Sequence, residues 1–208
     1  RNKSHMTPGA RLEAVIEILE RIWADNQAAD RVADMYFKKR RYAGSSDRRA
    51  IQATLYDILR HRSRLDWWVE RSGLSLSSRP RSRVIANLVL SEKSSPDEIS
   101  SLFNGLSHSP LTLSEEEHEL IGDLYGRPLT HSDMPNAVAL EYPNWMHDSF
   151  LTQWGDSLKT EILALNQTAP VDIRVNTLKS TVAVAKNELE NQLIETEYTP
   201  LSPIGLRL

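Results

Sequence analysis

The 208-residue chain contains no cysteine. That absence removes disulfide frameworks, thiolate metal cages and cysteine nucleophiles from the chemistry this sequence can perform. Glycine is sparse, eight residues in all, and no two lie closer than Gly122 and Gly126. The sequence therefore holds neither a G-x-G-x-x-G dinucleotide turn nor a phosphate-binding P-loop. A G-x-S-x-G hydrolase elbow is missing as well. No apolar run approaches the roughly 18 residues of a membrane span, and no signal-peptide pattern opens the chain. These absences lead us to expect a cytoplasmic protein with no membrane partner. The histidines are dispersed: His61, His108, His118, His131 and His147 form no i, i+4 pair and no local cluster with carboxylates. Surface exposure or an internal hydrogen bond accounts for each of them better than metal ligation.

What is present reads as an ordinary globular protein, with 40% hydrophobic and 25% charged residues. The net charge of −3 conceals two unlike halves. Residues 1–100 carry 19 basic and 13 acidic residues, a net of +6, whereas 101–208 carry 6 and 15, a net of −9. Between Arg31 and Arg83 the balance is 14 basic to 5 acidic, or +9. Such a stretch suits a polyanionic partner; a solvated helical surface accounts for it equally well.

Arg1–Met6 reads as an expression-tag scar and enters no fold argument. Thr7-Pro8 then forms a good helix opening, and Leu12, Val15, Ile16, Leu19, Ile22 and Trp23 repeat at three and four, an amphipathic stripe. Further helices are expected from about Ala28 to Lys39, from Ser46-Asp47 onward, from Leu65 to Arg71 with Gly73 beyond its end, and from Arg81 to about Glu92. Ser95 to Glu98 and Ser114 to Glu117 are capping boxes that open two more. Glu115-Glu116-Glu117 sits where carboxylates favour the positive end of the helix dipole, so capping explains it better than metal binding or acid–base chemistry.

No strand is expected before Tyr125, and residues 7–125 read as a helical bundle. Residues 126–143 hold Pro128, Pro135 and Pro143 without helical period and read as a connector. Residues 144–208 read as two short helices followed by the start of a βαβ unit. In that unit Val171, Ile173 and Val175 alternate with Asp172 and Arg174, and Ser180 caps a helix with Val182, Ala185, Leu189 and Leu193 inward. Strands at Glu195–Tyr198 and Ile204–Leu208 follow, too few for an independent sheet. Trp145, Phe150 and Trp154 are at helical spacing and are expected in a core rather than as a base-stacking platform. The fold class is thus mainly α, a bundle followed by a small incomplete α/β unit.

Two stretches carry a family resemblance. Ser46 to Val69, SDRRAIQATLYDILRHRSRLDWWV, resembles the central helices of NusB-like domains. Tyr142-Pro143-Asn144-Trp145, with Ala164-Leu165-Asn166 and Ala169 to Lys179 (APVDIRVNTLK), resembles the Sun (Fmu) family of bacterial ribosomal RNA cytosine-5 methyltransferases. The likeness covers nearly all of Thr7 to Leu208, including Ser202 to Leu208 (SPIGLRL). It implies a NusB-like RNA-binding bundle, a linker, a small RNA-recognition-like domain, and then a catalytic domain binding S-adenosylmethionine. The family's chemistry uses a cysteine thiolate on carbon 6 of cytosine and a second cysteine for release. On this resemblance the chain is an N-terminal fragment with no catalytic residue and no cofactor of its own, and its partners are ribosomal RNA and its own catalytic domain.

The candidate RNA-binding residues are Arg40, Arg41, Arg48 and Arg49 around one turn, and Arg60, Arg62 and Arg64 at the end of the next helix, expected to meet on one edge. Arg174 joins them, with an interdomain salt bridge as its equal alternative, and Asn176 is expected to close a turn. A NusB-like module without an enzyme, and a bundle that mainly docks protein, are the competing readings.

Overall fold

The computed structural model describes residues 6–25, 27–74, 79–167 and 169–208; the expected scar at Arg1–Met6 lies outside them except for Met6. Seven helices lead the chain: α1 (Pro8–Asp25), α2 (Ala29–Lys39), α3 (Ser45–Arg60), α4 (Arg62–Arg71), α5 (Arg79–Leu90), α6 (Pro96–Leu102) and α7 (Glu115–Leu124). Their starts follow local chemistry. The Thr7 hydroxyl accepts from the Ala10 N–H at 3.2 Å. Ser95 and Glu98 exchange side-chain-to-backbone bonds across the α6 N-terminus, and Ser114 and Glu117 do the same for α7.

The bundle is organised around α5. Every residue from Ser82 to Leu90 is buried, because α1, α3, α4, α6 and α7 all pack against this helix. A helix enclosed on all sides has no polar face to show. Arg83, 5% exposed, fits there because its guanidinium meets Asp66 through two bonds of 2.6 and 2.8 Å and lies 4.0 Å from the Trp23 ring centroid.

Residues 126–143 are not a free connector. The Trp68 indole N–H donates to the Leu129 carbonyl at 3.0 Å, the His131 ring stacks on Trp67, and Met134 is buried in the main core. A one-turn helix, α8 (Asn136–Ala139), packs on α4. Ala137, Leu140 and Tyr142 then start a second apolar cluster, completed by Leu158 and Ile162 from α10 (Leu158–Leu165), with Phe150 and Trp154 from α9 (His147–Trp154) against it. Proline breaks the period of this stretch without unmooring it. Trp145, expected in a core, is 80% exposed: it stands in a 3-10 turn, Asn144–Met146, ahead of α9, off the stripe that Phe150 and Trp154 share.

The chain divides into two compact units, up to Ile162 and from Leu163. The division falls later than the expected border at 143/144 because residues 144–162 build the second cluster together with α8. The second unit contains β1 (Asp172–Arg174), α11 (Val182–Asn191), β2 (Glu197–Tyr198) and β3 (Gly205–Arg207). Its strand order is β1-β3-β2. Ile173 faces Leu206 and Tyr198 faces Leu206 in two antiparallel ladders, so β1 and β2 run parallel with β3 between them, a split βαβ arrangement. Three strands suffice for a sheet here, and Leu206 at its centre is fully buried. Val171, in the alternating stretch, is 58% exposed, and Leu193, expected inward, is 93% exposed. Leu193 ends α11 in the left-handed region, at φ 61°, where its N–H bonds to Glu190 and that of Ile194 to Leu189. The cap geometry, rather than the helical period, sets its direction.

Candidate nucleic-acid interface

The expected arginines occupy three distinct situations. Arg40, at the end of α2, is held by the Glu17 carboxylate at 2.5 Å and lies 4.0 Å over the Tyr36 ring centroid. The Arg48 Nε–H donates to the Ala43 carbonyl at 2.9 Å, so its guanidinium braces the turn between α2 and α3. Arg64 is committed most fully. It donates to Glu141 at 2.9 Å and to the Thr130 hydroxyl at 3.0 Å, tying residues 126–143 to α4. Arg62 is half free, 3.7 Å from Asp66 and 53% exposed. Arg41, Arg49, Arg60 and Arg174 are exposed and form no ion pair among the described residues.

The two arginine groups stand toward the two ends of α3. Arg49 and Arg60 stand near opposite ends of α3, roughly 16 Å apart along the axis at about 1.5 Å per residue. The end of the bundle nearer Arg49 also carries Lys38 and Lys39, both exposed, which the sequence reading passed over although they adjoin Arg40 and Arg41. Arg174 lies in the other compact unit, on β1 opposite Gly205.

Asp47 anchors the α3 end of this surface. Its side chain is fully buried and accepts from Arg11 at 2.9 Å and from the Gly44 N–H at 3.3 Å. Burial opposes its charge, but the backbone N–H of Met6, the Arg11 guanidinium and the Gly44 N–H together outweigh it and hold the carboxyl below the usual range. The acidic cluster on α7 has a structural duty beyond capping, since Glu117 also takes the Arg81 guanidinium at 2.6 and 2.9 Å.

Residues 176–181 contain no glycine, the Asn176 side chain accepts from the Leu178 N–H at 3.1 Å, and Thr181, not Ser180, caps α11 by accepting from Val184. The expected turn-closing role of Asn176 is observed.

Residues 142–208 match the family model of the RsmF/B-like methyltransferase ferredoxin-like domain. No curated protein shows significant similarity to the chain. Among solved structures PH0851 shares the fold, with a TM-score of 0.59 and 21% identity over 97% of this chain and 48% of PH0851. The chain thus spans about half the length of that protein. The split βαβ sheet and the sequence of residues 142–208 agree with each other, and the likeness they carry is to the ferredoxin-like domain of RsmF/B-like methyltransferases.

Proposed function

We propose that this chain is the RNA-holding region of an S-adenosylmethionine-dependent ribosomal RNA (cytosine-5) methyltransferase, with the chemistry performed outside these 208 residues. The observation that carries the reading is the RsmF/B-like match over residues 142–208, following a bundle whose 31–83 stretch bears +9, from 14 basic and 5 acidic residues. The chain has no thiol, so covalent attack on cytosine is not its task. Its task is positioning: exposed guanidinium groups neutralise phosphates at a distance from the target base and fix the RNA without reading its sequence.

A docking role toward its own catalytic domain accompanies this reading. Leu178, Val184 and Leu201, which the second unit leaves exposed, are available to such a partner.

The test is filter binding of ribosomal RNA fragments as a function of salt. Replacing Arg41, Arg49 and Arg60 together by alanine should weaken binding to all fragments alike and reduce the salt slope by about 2 to 3, at roughly 0.7–0.9 per lost phosphate contact. Arg64→Ala should leave affinity unchanged. No affinity at low salt, or an unchanged slope in the triple variant, overturns the proposal.

A further inference from the structure

A cavity of about 1120 Å³ opens between the first half of α1, the turn joining α2 to α3, and residues 107–108. Its volume reaches the range of sites that enclose small molecules. Ala10 and Ala14 are among its lining residues, and their small side chains leave room that a larger residue would fill. Glu13, Glu17, Tyr36, Arg41 and Tyr42 also line it.

The charges of this lining are unevenly spent. Glu17 is neutralised by Arg40, and Asp47 by Arg11. Glu13 accepts no hydrogen bond among the described residues, and burial, followed by the nearby Glu17, pushes its carboxyl up from the usual range. Arg41 is likewise unpaired. Tyr42, at the same turn, is 63% exposed, leaving much of its ring open to a ligand.

We infer that this cavity receives one unpaired, amino-bearing base of single-stranded RNA, with the adjoining phosphate on Arg41 and the base edge donating to Glu13. This rests on the RNA-holding reading above and extends it from phosphate contact to base selection. Arg41 lines the cavity, and Lys38 and Lys39, exposed at the end of α2 just before it, favour a polyanion over a cationic peptide side chain. Inside, an ionised carboxylate is an acceptor only. It pairs with the exocyclic amine of cytosine, adenine or guanine, whereas uracil offers carbonyl oxygens on both sides of its single N–H. The Tyr42 ring supplies a stacking face that is indifferent to base identity.

The experiment uses the full chain and three probes: a single-stranded oligonucleotide of uridines, the same oligonucleotide with one central cytidine, and that oligonucleotide with an abasic site in place of the cytidine. Cytidine should bind about tenfold more tightly than uridine, the discrimination expected of one well-made edge contact. Glu13→Gln should abolish that preference while leaving uridine binding in place. Tyr42→Ala should weaken all three oligonucleotides, because the uridines of each can use that stacking face. Equal binding of all three probes, or a cytidine preference that survives Glu13→Gln, overturns the base site. If the three probes bind equally and the triple arginine variant weakens them alike, the RNA-holding reading stands without the base site. If none binds at low salt, both fall. Capture of an arginine-rich peptide in place of RNA overturns the base site in favour of a protein partner.

Discussion

Removal of the Glu141 carboxylate should loosen residues 126–143 from the bundle. Its side chain is 6% exposed and accepts three hydrogen bonds: from the Ser63 N–H at 2.8 Å, the Arg64 N–H at 3.0 Å and the Arg64 Nε–H at 2.9 Å. The first two donors belong to the opening turn of α4, which has no side-chain cap of its own. Glu141 therefore caps α4 from a distant part of the chain and pairs with an arginine in the same step. Breaking a buried pair costs about 3–5 kcal/mol. Recovered glutamate rotamer freedom offsets up to ~2 kcal/mol of that, and water reaching Arg64, whose side chain is 18% exposed, offsets a further part. We expect Glu141→Ala to destabilise by about 2–3 kcal/mol, or roughly 4–12 °C in Tm for a chain of this size. Urea unfolding followed by tryptophan fluorescence suits the measurement, because Trp67 and Trp68 sit on α4. A double-mutant cycle with Arg64→Ala should give a coupling above about 1 kcal/mol. A loss below about 0.5 kcal/mol, or a coupling near zero, would refute the clamp.

The parts of the fold that sequence made legible were those decided within a few residues. Thr7-Pro8 and the boxes at Ser95 and Ser114 each place a cap beside the helix it opens, and all three stand where that local chemistry puts them. Partners far along the chain were hidden. Nothing near Arg64 announces Glu141, so its pairing with that carboxylate was hidden, and α4 begins at Arg62 rather than near Leu65, where the cap arrives from Glu141. The same holds for Arg40, taken by Glu17 on another helix. Arg48, by contrast, bonds a carbonyl only five residues away, but that bond depends on a turn whose shape periodicity does not reveal. The amphipathic reading of α5 found its stripe and missed its enclosure, since Ser82 and Asn87 are polar in text and buried in the bundle. Of the eight candidate arginines, the exposed ones are separated by the length of α3 and by the division between units, facts of topology rather than of composition.

Asp47→Asn tests the buried anchor through pH. The native carboxyl is held below its ordinary value, so its stabilisation is complete above the unfolded-state range near ~4 and is lost as pH falls through the lower folded value. The difference in urea midpoint between wild type and Asp47→Asn should therefore be widest near neutral pH and shrink in acid; a difference independent of pH would refute the assignment. Leu193→Gly should stabilise the chain, contrary to the usual effect of removing a leucine. Leu193 is 93% exposed, so truncation forfeits almost no packing. Its φ of 61° carries a left-handed penalty of about 1 kcal/mol for a residue with a Cβ, whereas glycine adopts that conformation freely and is the common residue at this cap position. Glycine's greater unfolded-state entropy opposes the gain by roughly 0.5 kcal/mol. A net gain of about 0.5 kcal/mol in urea unfolding is expected. Destabilisation by Leu193→Gly would mean that the leucine is buried in solution, and with it that the second unit has a partner on this side.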